Sequence, residues 1–486
     1  MRRRKRLPFR QLRMCKAGIT LYMSLILLVI LSLIAAGFYS VKIAAGRVSL
    51  QMGTEEGIFS AFAGYDRLLF DKYGLLFLDI GRGESEWKLG SVLKGIAGDA
   101  SFVTNPSDCR VGVTDLSICL HESSVTGLVL ASDLGGAAFE RQICQQEKLQ
   151  TSTGETYRLR EKTGADAEAA REMLELRRGI SEERAGDFYS EVSEEELKTL
   201  PAGYRDPVKA IRNLKKRGLL SLVFPDVGRI PAGTSEGQMP ASTRALRQGF
   251  GMLPTQWEGG TGDAAARLRR FLMDDFCCYT DGQRGAGLVC QIEYGIKHQS
   301  SDRENLREVL SDLLKIREAS NLMFLLTNPS KGREADVLGA SMAASLLSPE
   351  LAPGLSFALK TAWAYGEAIQ DLRNLVNGGR VPIAKSESDW QLELTGLAGL
   401  GSSAVEATGG DHGLSYRDYL RLLVMQVDRQ QLVPALMDLV EINMRQEGRD
   451  GFCLDCCVDA MEVELHGDIC GRDFFTRRAF GYDMKE

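Results

Sequence analysis

Three short patterns in this sequence contain residue types that perform chemistry in other proteins. The first is Gly233–Gly237, which reads GTSEG and matches the G-x-S-x-G pattern of a nucleophilic serine. That pattern works where a strained turn between a strand and a helix exposes the serine hydroxyl above a sheet. Here Ser235 lies among prolines and glycines, and no apolar strand leads into it. We interpret the match as a loop and keep Ser235 only as the site of a less favoured alternative, a secreted hydrolase.

The second pattern is Gly399–Ala404, which reads GLGSSA and resembles a glycine-rich phosphate turn. Residues 390–394 are apolar enough to form the strand that should precede such a turn. The helix that should follow is interrupted after a few residues by Gly409 and Gly410, and no strand–helix–strand unit surrounds the turn. The sequence therefore predicts no dinucleotide cofactor here.

The third pattern is Cys453–Cys457, which reads CLDCC and contains the C-x-x-C spacing of zinc ligands. Cys277, Cys278 or His466 would have to complete a zinc site, because the sequence has no second C-x-x-C and no paired histidine motif. A redox role would need a thioredoxin-like context, which the surrounding pattern does not offer. We predict disulfides or thiols rather than a metal, and keep this cluster as the second site of the hydrolase alternative.

Ten of the eleven cysteines follow the first apolar stretch. An even number in an exported domain permits up to five disulfides, whose connectivity cannot be deduced from sequence. The candidates for disulfide bonding are Cys109, Cys119, Cys144, Cys277, Cys278, Cys290, Cys453, Cys456, Cys457 and Cys470.

The remaining titratable residues do not form a recognisable catalytic set. The chain has four histidines, and none belongs to an H-E-x-x-H motif. Carboxylates are plentiful, but a single sequence does not show which of them meet in space. We therefore predict a non-enzymatic protein with no catalytic residues, no cofactor, no metal and no identified small-molecule substrate.

The element that organises the chain is the uncharged stretch of residues 17–41, which is rich in Leu, Ile and Val. About 20 apolar helical residues span a bilayer, and this stretch exceeds that length. The first sixteen residues carry eight basic side chains and no acidic one. The positive-inside tendency then predicts a cytoplasmic N-terminus and an extracytoplasmic C-terminal domain. A cleaved secretory signal ending near Ala35–Gly37 is the main alternative.

Helical spacing of apolar residues continues from Lys42 to Tyr73 without a proline. Short strand-like runs follow, first at residues 75–78 and then at residues 111–130. The last residues, from about position 458, also alternate between apolar and polar side chains as strands do. We predict that these C-terminal strands return to the N-terminal sheet.

The interior of the chain is predominantly helical in its pattern. Capping-box spacings at Ser301 and Ser415 mark the beginnings of two helices. The second of these is expected to break or kink near Pro434. The predicted organisation comprises a basic leader (1–16), a transmembrane helix (17–41), an extended helix with a sheet (42–150), a charged helical segment (151–224), a loop or linker (225–265), a helical domain (266–447) and C-terminal strands (448–486).

Charge excludes one class of partner. The whole chain has a formal net charge of −6, so the part beyond the strongly basic leader is more acidic still. It contains no concentrated basic stripe, which argues against nucleic-acid binding. The predicted partners are membrane lipid, contacted through residues 17–41, and other membrane proteins.

Several stretches carry a resemblance to a known family. They are GITLYMSLILLVILSL (18–33), REASNLMFLLTN (317–328), the segment 362–394 that begins AWAYGEAIQDL, and the segment 413–445 that begins GLSYRDYLRLL. Together they resemble an uncharacterised family of single-pass membrane proteins of Gram-positive anaerobes, similar to TadE/TadG-type pilus-assembly proteins. The resemblance implies a place among Tad pilus or secretion components. The family has no established activity and no catalytic residues to carry over.

One feature of pilin precursors can be compared directly. Prepilins are cut after a glycine that follows a basic leader, which here makes Gly18 the residue before the cut and Ile19 the first mature residue. The fifth mature position, which usually bears glutamate, would be Met23. A buried carboxylate in lipid is costly and is kept for a specific contact. Its absence favours an accessory component over the main pilus subunit.

The fold class predicted from these observations is α+β. A single N-terminal transmembrane helix extends into a pilin-like module of helix and antiparallel sheet, with a mainly α-helical inserted domain. The predicted function is a membrane-anchored extracytoplasmic component of a Tad-like pilus or secretion apparatus, in assembly, anchoring or a minor pilin role. An extracytoplasmic ligand-binding protein or adhesin is the alternative, and a secreted hydrolase is less favoured.

Overall fold

A computed structural model defines the fold. It describes residues 15–104, 118–150, 216–399 and 412–482, apart from residues 225, 236, 257, 259, 283–286 and 346. The described chain combines many helices with one small antiparallel sheet, and it begins with one long apolar helix. The α+β prediction is thereby confirmed at this level.

Helix α1 (Cys15–Ala63) is continuous over 49 residues. The apolar pattern predicted helix as far as Tyr73, but a turn around Gly64 ends α1 earlier. A second helix, α2 (Arg67–Tyr73), begins after Asp66, whose side chain accepts a hydrogen bond from the Leu69 amide at 3.0 Å. The cap on this amide starts a new helix in a new direction, so the segment is two helices rather than one.

The sheet has four strands: β1 (Leu78–Asp79), β2 (Ile118–Leu130), β3 (Cys457–Ile469) and β4 (Asp473–Gly481). The long strand β3 is central, with β2 on one side and both β1 and β4 on the other. All pairings are antiparallel. The two ends of the described chain therefore belong to one sheet, joined by pairs such as Val125 with Val463.

Alternation along β3 decides which face of the sheet is buried. Met461, Val463 and Leu465 point into a core formed with the second half of α1 and with helix α3 (Leu89–Thr104). Intervening residues such as Glu462 and Glu464 are partly exposed on the opposite face. Successive strand side chains point to opposite faces, so this alternation places one apolar face against α1.

A helical domain makes up most of the rest of the described chain. Its largest buried side chain is Trp363, which lies on a helix that packs between two others. The helices are α4 (Asp133–Gln150), α5 (Leu219–Val223), α6 (Thr261–Asp275), α7 (Gln291–Lys297), α8 (Asp302–Thr327), α9 (Pro329–Ser345), α10 (Ala352–Val376), α11 (Tyr416–Val424) and α12 (Arg429–Gln446).

The predicted helix starts are present at α8 and α11. The Ser301 hydroxyl accepts a hydrogen bond from the Glu304 amide at 3.3 Å, and Ser415 forms a complete capping box with Asp418. The predicted break near Pro434 was misplaced. The chain turns between Val424 and Arg429 instead, and Pro434 lies inside α12, in its second turn.

Residues 225–265 contain two short 3-10 turns, Val227–Arg229 and Ala241–Thr243, before α6 begins. Ala241 is buried, and the Ser242 amide donates to Asp438 of α12 at 2.8 Å. This irregular segment is thus packed against the helical domain. Most of the predicted charged segment, residues 151–215, lies outside the described residues.

Candidate functional site

The first half of α1 is built for an apolar environment. From Ile19 to Val41 the side chains are exposed almost without exception, and Leu33 is 73 % exposed. No protein surface covers its most apolar window. Among the described residues this is the one helix long and apolar enough to cross a membrane. Gly18 and Ile19, the predicted cleavage residues, lie within it.

The second half of α1 is packed against protein instead. A side-chain carbon on Gly57 would lie 2.5 Å from the Ile96 carbonyl oxygen of α3, so only glycine permits this approach. Further along, the ring of Phe62 meets Phe480 and Tyr482 edge-on, with both centroid distances at 5.2 Å. The same helix therefore changes from an exposed apolar surface to a protein core without a break in its backbone.

At its other end the sheet is attached to the helical domain through buried arginine–carboxylate pairs. Arg141 of α4 donates to both carboxylate oxygens of Asp459 on β3 at 2.6 Å, and both side chains are almost fully buried. Arg244 reaches Glu441 of α12 and Asp455, just before β3, at 2.6 Å each. Charged hydrogen bonds of this two-pronged type fix orientation as well as distance.

A second set of buried charges lies inside the helical domain. Arg317 of α8 contacts Asp371 of α10 at 3.0 Å, and Lys385 contacts Asp371 at 2.6 Å and also Glu367. Burial alone would raise the pKa of Asp371, but the Arg317 guanidinium and the Lys385 ammonium hold it below its usual range. Two cations thus balance two carboxylates in an interior where an isolated charge would be very costly.

Glu293 of α7 is buried in a different way. Its Oε1 accepts hydrogen bonds from the Tyr279 amide at 3.0 Å and from the Tyr416 hydroxyl at 2.9 Å. Within the described chain no donor reaches its Oε2. Burial raises the pKa of Glu293 to about 7, despite these hydrogen bonds. This carboxyl group therefore titrates near neutrality.

The structure does not assemble a catalytic pair at Ser235. Both the amide and the hydroxyl of Ser235 donate to the Ser300 carbonyl, at 2.9 and 3.2 Å. The His298 ring nitrogen Nε2 lies instead 2.8 Å from Asp438. A serine nucleophile needs its base at the hydroxyl. The segment leading to Ser235 also contributes only an isolated bridge, Thr234 with Ser301, rather than a strand.

Asp438 is the centre of that neighbourhood, and sequence reasoning did not identify it. It accepts hydrogen bonds from the Ser242 hydroxyl at 2.5 Å and the Tyr294 hydroxyl at 2.8 Å, in addition to the His298 contact. Its partners come from two separate segments, the irregular segment and α7 with its C-cap, which no spacing in the sequence connects. The arrangement satisfies a buried carboxylate and ties the irregular segment to α12 and α7.

The cysteines do not form the predicted disulfides. The nine cysteines whose side chains are described are all free thiols, and Cys109 lies outside the described residues. Most of them are buried among apolar side chains. Burial raises the pKa of both Cys278 and Cys456 to about 12, so these thiols stay protonated at neutral pH. Burial of scattered cysteines as small apolar residues explains why their even number was misleading.

One cluster of metal-ligand types occurs among the described residues. Side-chain atoms of Glu441, Cys453 and Asp455 lie within 4.8 Å of one another. Two arginines already occupy this space, because Arg244 bonds both carboxylates and Arg445 bonds Glu441 at 2.9 Å. The guanidinium groups supply the positive charge that a cation would bring, so the cluster does not fit a zinc ion. The other predicted ligands do not belong to it.

The predicted phosphate turn is only partly described. Residues Leu394–Gly399 form a 3-10 helix, and the stretch 390–394 is not a strand, so the expected strand–turn context is absent there. Gly401 and Ala404 lie outside the described residues.

A cavity of about 640 Å³ opens between α2, α4 and α6. Its walls combine aromatic rings such as Tyr73 and Phe271 with charged groups such as Arg270 and Asp275. The pKa of Asp275 is raised to about 6, by burial and by its neighbour Asp274. The volume of this cavity is that of an ordinary small-molecule pocket.

Comparison with known proteins assigns one region of the chain. Residues 198–469 match a family described as a family of unknown function (DUF5702). That match covers helices α5 to α12 and all of strand β3, but not helix α4. No curated protein and no solved structure matches the chain.

Proposed function

The chain belongs to the DUF5702 family of unknown function, and on that premise we propose that it is a non-enzymatic, membrane-anchored extracytoplasmic component of a Tad-like pilus or secretion apparatus. Its role is in assembly or anchoring, or as a minor pilin. The helix α1 anchors it in the membrane. The sheet and the helical domain form the part that meets other proteins.

The observation that carries this proposal is the change of surroundings along α1. Its first half exposes an apolar surface on every side, and its second half is buried against a sheet whose central strand comes from the other end of the chain. A helix anchored in lipid and rigidly continued into a folded domain transmits force and position between the two. This arrangement of helix and antiparallel sheet supports the resemblance to pilin-like proteins.

An exposed apolar strip on α1 supports association with neighbouring membrane proteins. Val41, Ala45, Val48 and Met52 are exposed at the end of the uncharged stretch and just beyond it, on the side of α1 away from the sheet. The small residues Ala44 and Ser49 lie in the same strip. Small residues allow close approach of membrane helices. We propose that a helix of another component packs along this strip.

Met23 separates an accessory role from that of a main pilus subunit. It lies in the lipid-type half of α1 and is exposed, at the position where a pilin would present a carboxylate. Subunits of this chain therefore lack the charge that would pair with a neighbouring amino terminus. A component present in few copies, at the base or the tip of the assembly, needs no such repeated contact.

The mature N-terminus tests this proposal. Mass spectrometry on protein from native membranes distinguishes three outcomes. A start at Ile19 supports prepilin-type processing, and an intact basic leader supports a permanent anchor. A start beyond Ala36 gives a secreted protein, which would refute the membrane role.

Ligand binding in the cavity between α2, α4 and α6 is a second candidate function. The cavity volume and its mixture of aromatic and charged walls favour it. Native mass spectrometry of the purified chain would detect a retained small molecule, and Arg270→Ala should abolish that retention. If the wild-type chain retains nothing from its native host, this candidate is rejected.

A further inference from the structure

The position of the membrane along α1 follows from its flanking charges. Lys16 and Lys42 bound the uncharged stretch, so its midpoint is residue 29. A hydrocarbon core about 30 Å thick corresponds to about 20 helical residues, which centres the buried part of α1 on roughly Ile19 to Tyr39. Tyr39 therefore lies where hydrocarbon gives way to lipid headgroups. Tyrosine is enriched at this depth because its ring is apolar and its hydroxyl is polar.

The turn between β3 and β4 contacts α1 at this same level. The Tyr39 hydroxyl donates a hydrogen bond to the Cys470 carbonyl at 3.2 Å. The Arg472 guanidinium lies over the Tyr39 ring, 5.6 Å from its centroid. About two turns further along α1, Arg47 lies over the Phe474 ring at 4.4 Å. We call residues 470–475 the hairpin tip.

The composition of the hairpin tip matches the headgroup region. Phe475 is 65 % exposed although it is large and apolar, and Arg472 is exposed beside it. Lys42 and Arg47 add two more cations from α1. The exposed ring and the cations lie on the part of the sheet that is closest to the membrane-spanning half of α1.

The acidic groups near the hairpin tip have partners of their own. Asp468 accepts a hydrogen bond from the Gly471 amide at 2.9 Å, and Asp473 lies 3.2 Å from the His466 ring nitrogen. The three cations exceed these two carboxylates. The residual positive charge is complementary to lipid phosphates, which attract arginine and lysine close to a membrane surface.

We propose that the hairpin tip binds the phospholipid headgroup layer of the membrane that α1 crosses. Phe475 enters the boundary between headgroups and acyl chains, and Arg472 pairs with lipid phosphate. This proposal rests on the proposed membrane anchor and adds a second point of lipid contact, from a segment more than 400 residues away in sequence.

Membrane contact through both α1 and the hairpin tip restricts motions that α1 alone would allow. A single helix lets its domain tilt and rotate freely relative to the bilayer. The hairpin tip is bonded to α1 at Tyr39 and fixed to the sheet through β3 and β4, so its insertion sets the depth and rotation of α1. The exposed strip of α1 would then face one defined direction along the membrane.

Tryptophan quenching by lipids tests the proposal on the full chain in phosphatidylglycerol and phosphatidylcholine vesicles. The lipids carry bromine atoms high on their acyl chains, where they quench nearby indole emission. These lipids should quench the emission that Phe475→Trp adds to that of the wild type. Leu347→Trp is the matched control, because Leu347 is 89 % exposed and lies in the helical domain. The brominated lipids should not quench the emission that Leu347→Trp adds.

A third variant separates the two proposals. Leu28→Trp places the probe near the midpoint of the expected membrane span, and lipids brominated deep in the chain should quench it. Quenching of Leu28→Trp without quenching of Phe475→Trp would overturn the hairpin proposal and leave the anchor intact. Absence of quenching in both variants would overturn both proposals.

Charge reversal tests the role of Arg472. In the Phe475→Trp background, Arg472→Glu should reduce quenching because it turns phosphate attraction into repulsion. Arg472→Lys keeps the charge and should preserve quenching. Equal quenching in the Glu and Lys variants would show that lipid phosphate does not bind Arg472, and would overturn that part of the assignment.

Discussion

The sheet is held at its two ends by different kinds of contact. Near the exposed apolar half of α1, its contacts are glycines, aliphatic side chains and aromatic rings, as where Ile469 lies against Gly46. At the other end of β3, the contacts are buried arginine–carboxylate pairs such as Arg141 with Asp459. Strand β3 connects these ends over about 40 Å, since a strand rises about 3.3 Å per residue.

The two ends of the sheet are therefore attached by different physical means, one by close apolar packing and the other by paired buried charges. The α1 end is non-directional and tolerates changes of pH, but it tolerates no added bulk where backbones approach. The helical-domain end is directional, and it depends on every partner of a buried charge being present. We expect substitutions at the two ends to fail for different reasons, in a predictable order of size.

The largest loss is expected for Asp459→Ala. It leaves the buried Arg141 guanidinium without its carboxylate, and breaking a buried pair from one side costs about 3–5 kcal/mol. Chemical denaturation of the full chain in detergent should show this loss in the free energy of unfolding.

The matched control is Glu464→Ala on the same strand. Glu464 pairs with Arg477 at 3.2 Å on the partly exposed face. Loss of such a pair costs about 0–1 kcal/mol. Equal losses in the two variants would contradict the view that the Arg141–Asp459 pair attaches the helical domain.

A pH dependence is expected from Glu293, a buried carboxyl group inside the helical domain. Its pKa is raised from 4.5 to about 7 in the folded chain, so between these values the folded state binds more protons than the unfolded state. Stability from this group is present below about pH 4.5 and is lost as pH rises through about 7. The loss amounts to about 3 kcal/mol.

Glu293→Gln removes this titration while keeping the size of the side chain. Unfolding midpoints measured from pH 5 to pH 8 should therefore decline less steeply in this variant than in the wild type. Glu334→Gln, at an exposed position of α9, should leave the wild-type slope unchanged. Parallel slopes for wild type and Glu293→Gln would contradict the assignment.

The close packing of α1 is tested by Gly57→Ala, on the part of α1 that meets α3. The added carbon would lie 2.5 Å from the Ile96 carbonyl oxygen, and a backbone atom cannot move away cheaply. Overpacking of this kind costs about 1–3 kcal/mol. Gly95→Ala on α3 is the control, since nothing lies within 4 Å of its new carbon. It should be neutral or stabilising by up to about 1 kcal/mol, because alanine favours helix.

Sequence reasoning succeeded where the determining signal is local. The apolar stretch of α1 and the caps at Ser301 and Ser415 depend on residues within a few positions of one another, and all are present. The alternation near the C-terminus likewise indicated strands. The boundary between α1 and α2 was missed because Gly64 is compatible with either a helix or a turn.

The buried polar clusters could not be predicted in the same way. Arg317 and Asp371 are 54 positions apart, and Arg141 and Asp459 are 318 positions apart. Nothing in one sequence distinguishes these residues from the many exposed charges of the same type. The sequence left disulfides and thiols open for a related reason, because counting cysteines reveals nothing about their separation. The nine described cysteines are free thiols, and most of them are buried.

The smallest expected effect is that of Tyr39→Phe, at the point where α1 and the hairpin tip meet. The change removes one hydrogen bond, from the Tyr39 hydroxyl to the Cys470 carbonyl, and retains the ring under Arg472. A hydrogen bond of this kind contributes about 0.5–1.5 kcal/mol. Global unfolding should change little, but the turn should open more often. Hydrogen exchange in residues 469–474 should therefore accelerate several-fold. The control is Tyr22→Phe, near the other end of the apolar half of α1, which should leave that exchange unchanged. Unaltered exchange in Tyr39→Phe would mean that packing of Ile469 and Phe474 alone holds the tip against α1. Apolar contacts would then be sufficient to attach this end of the sheet.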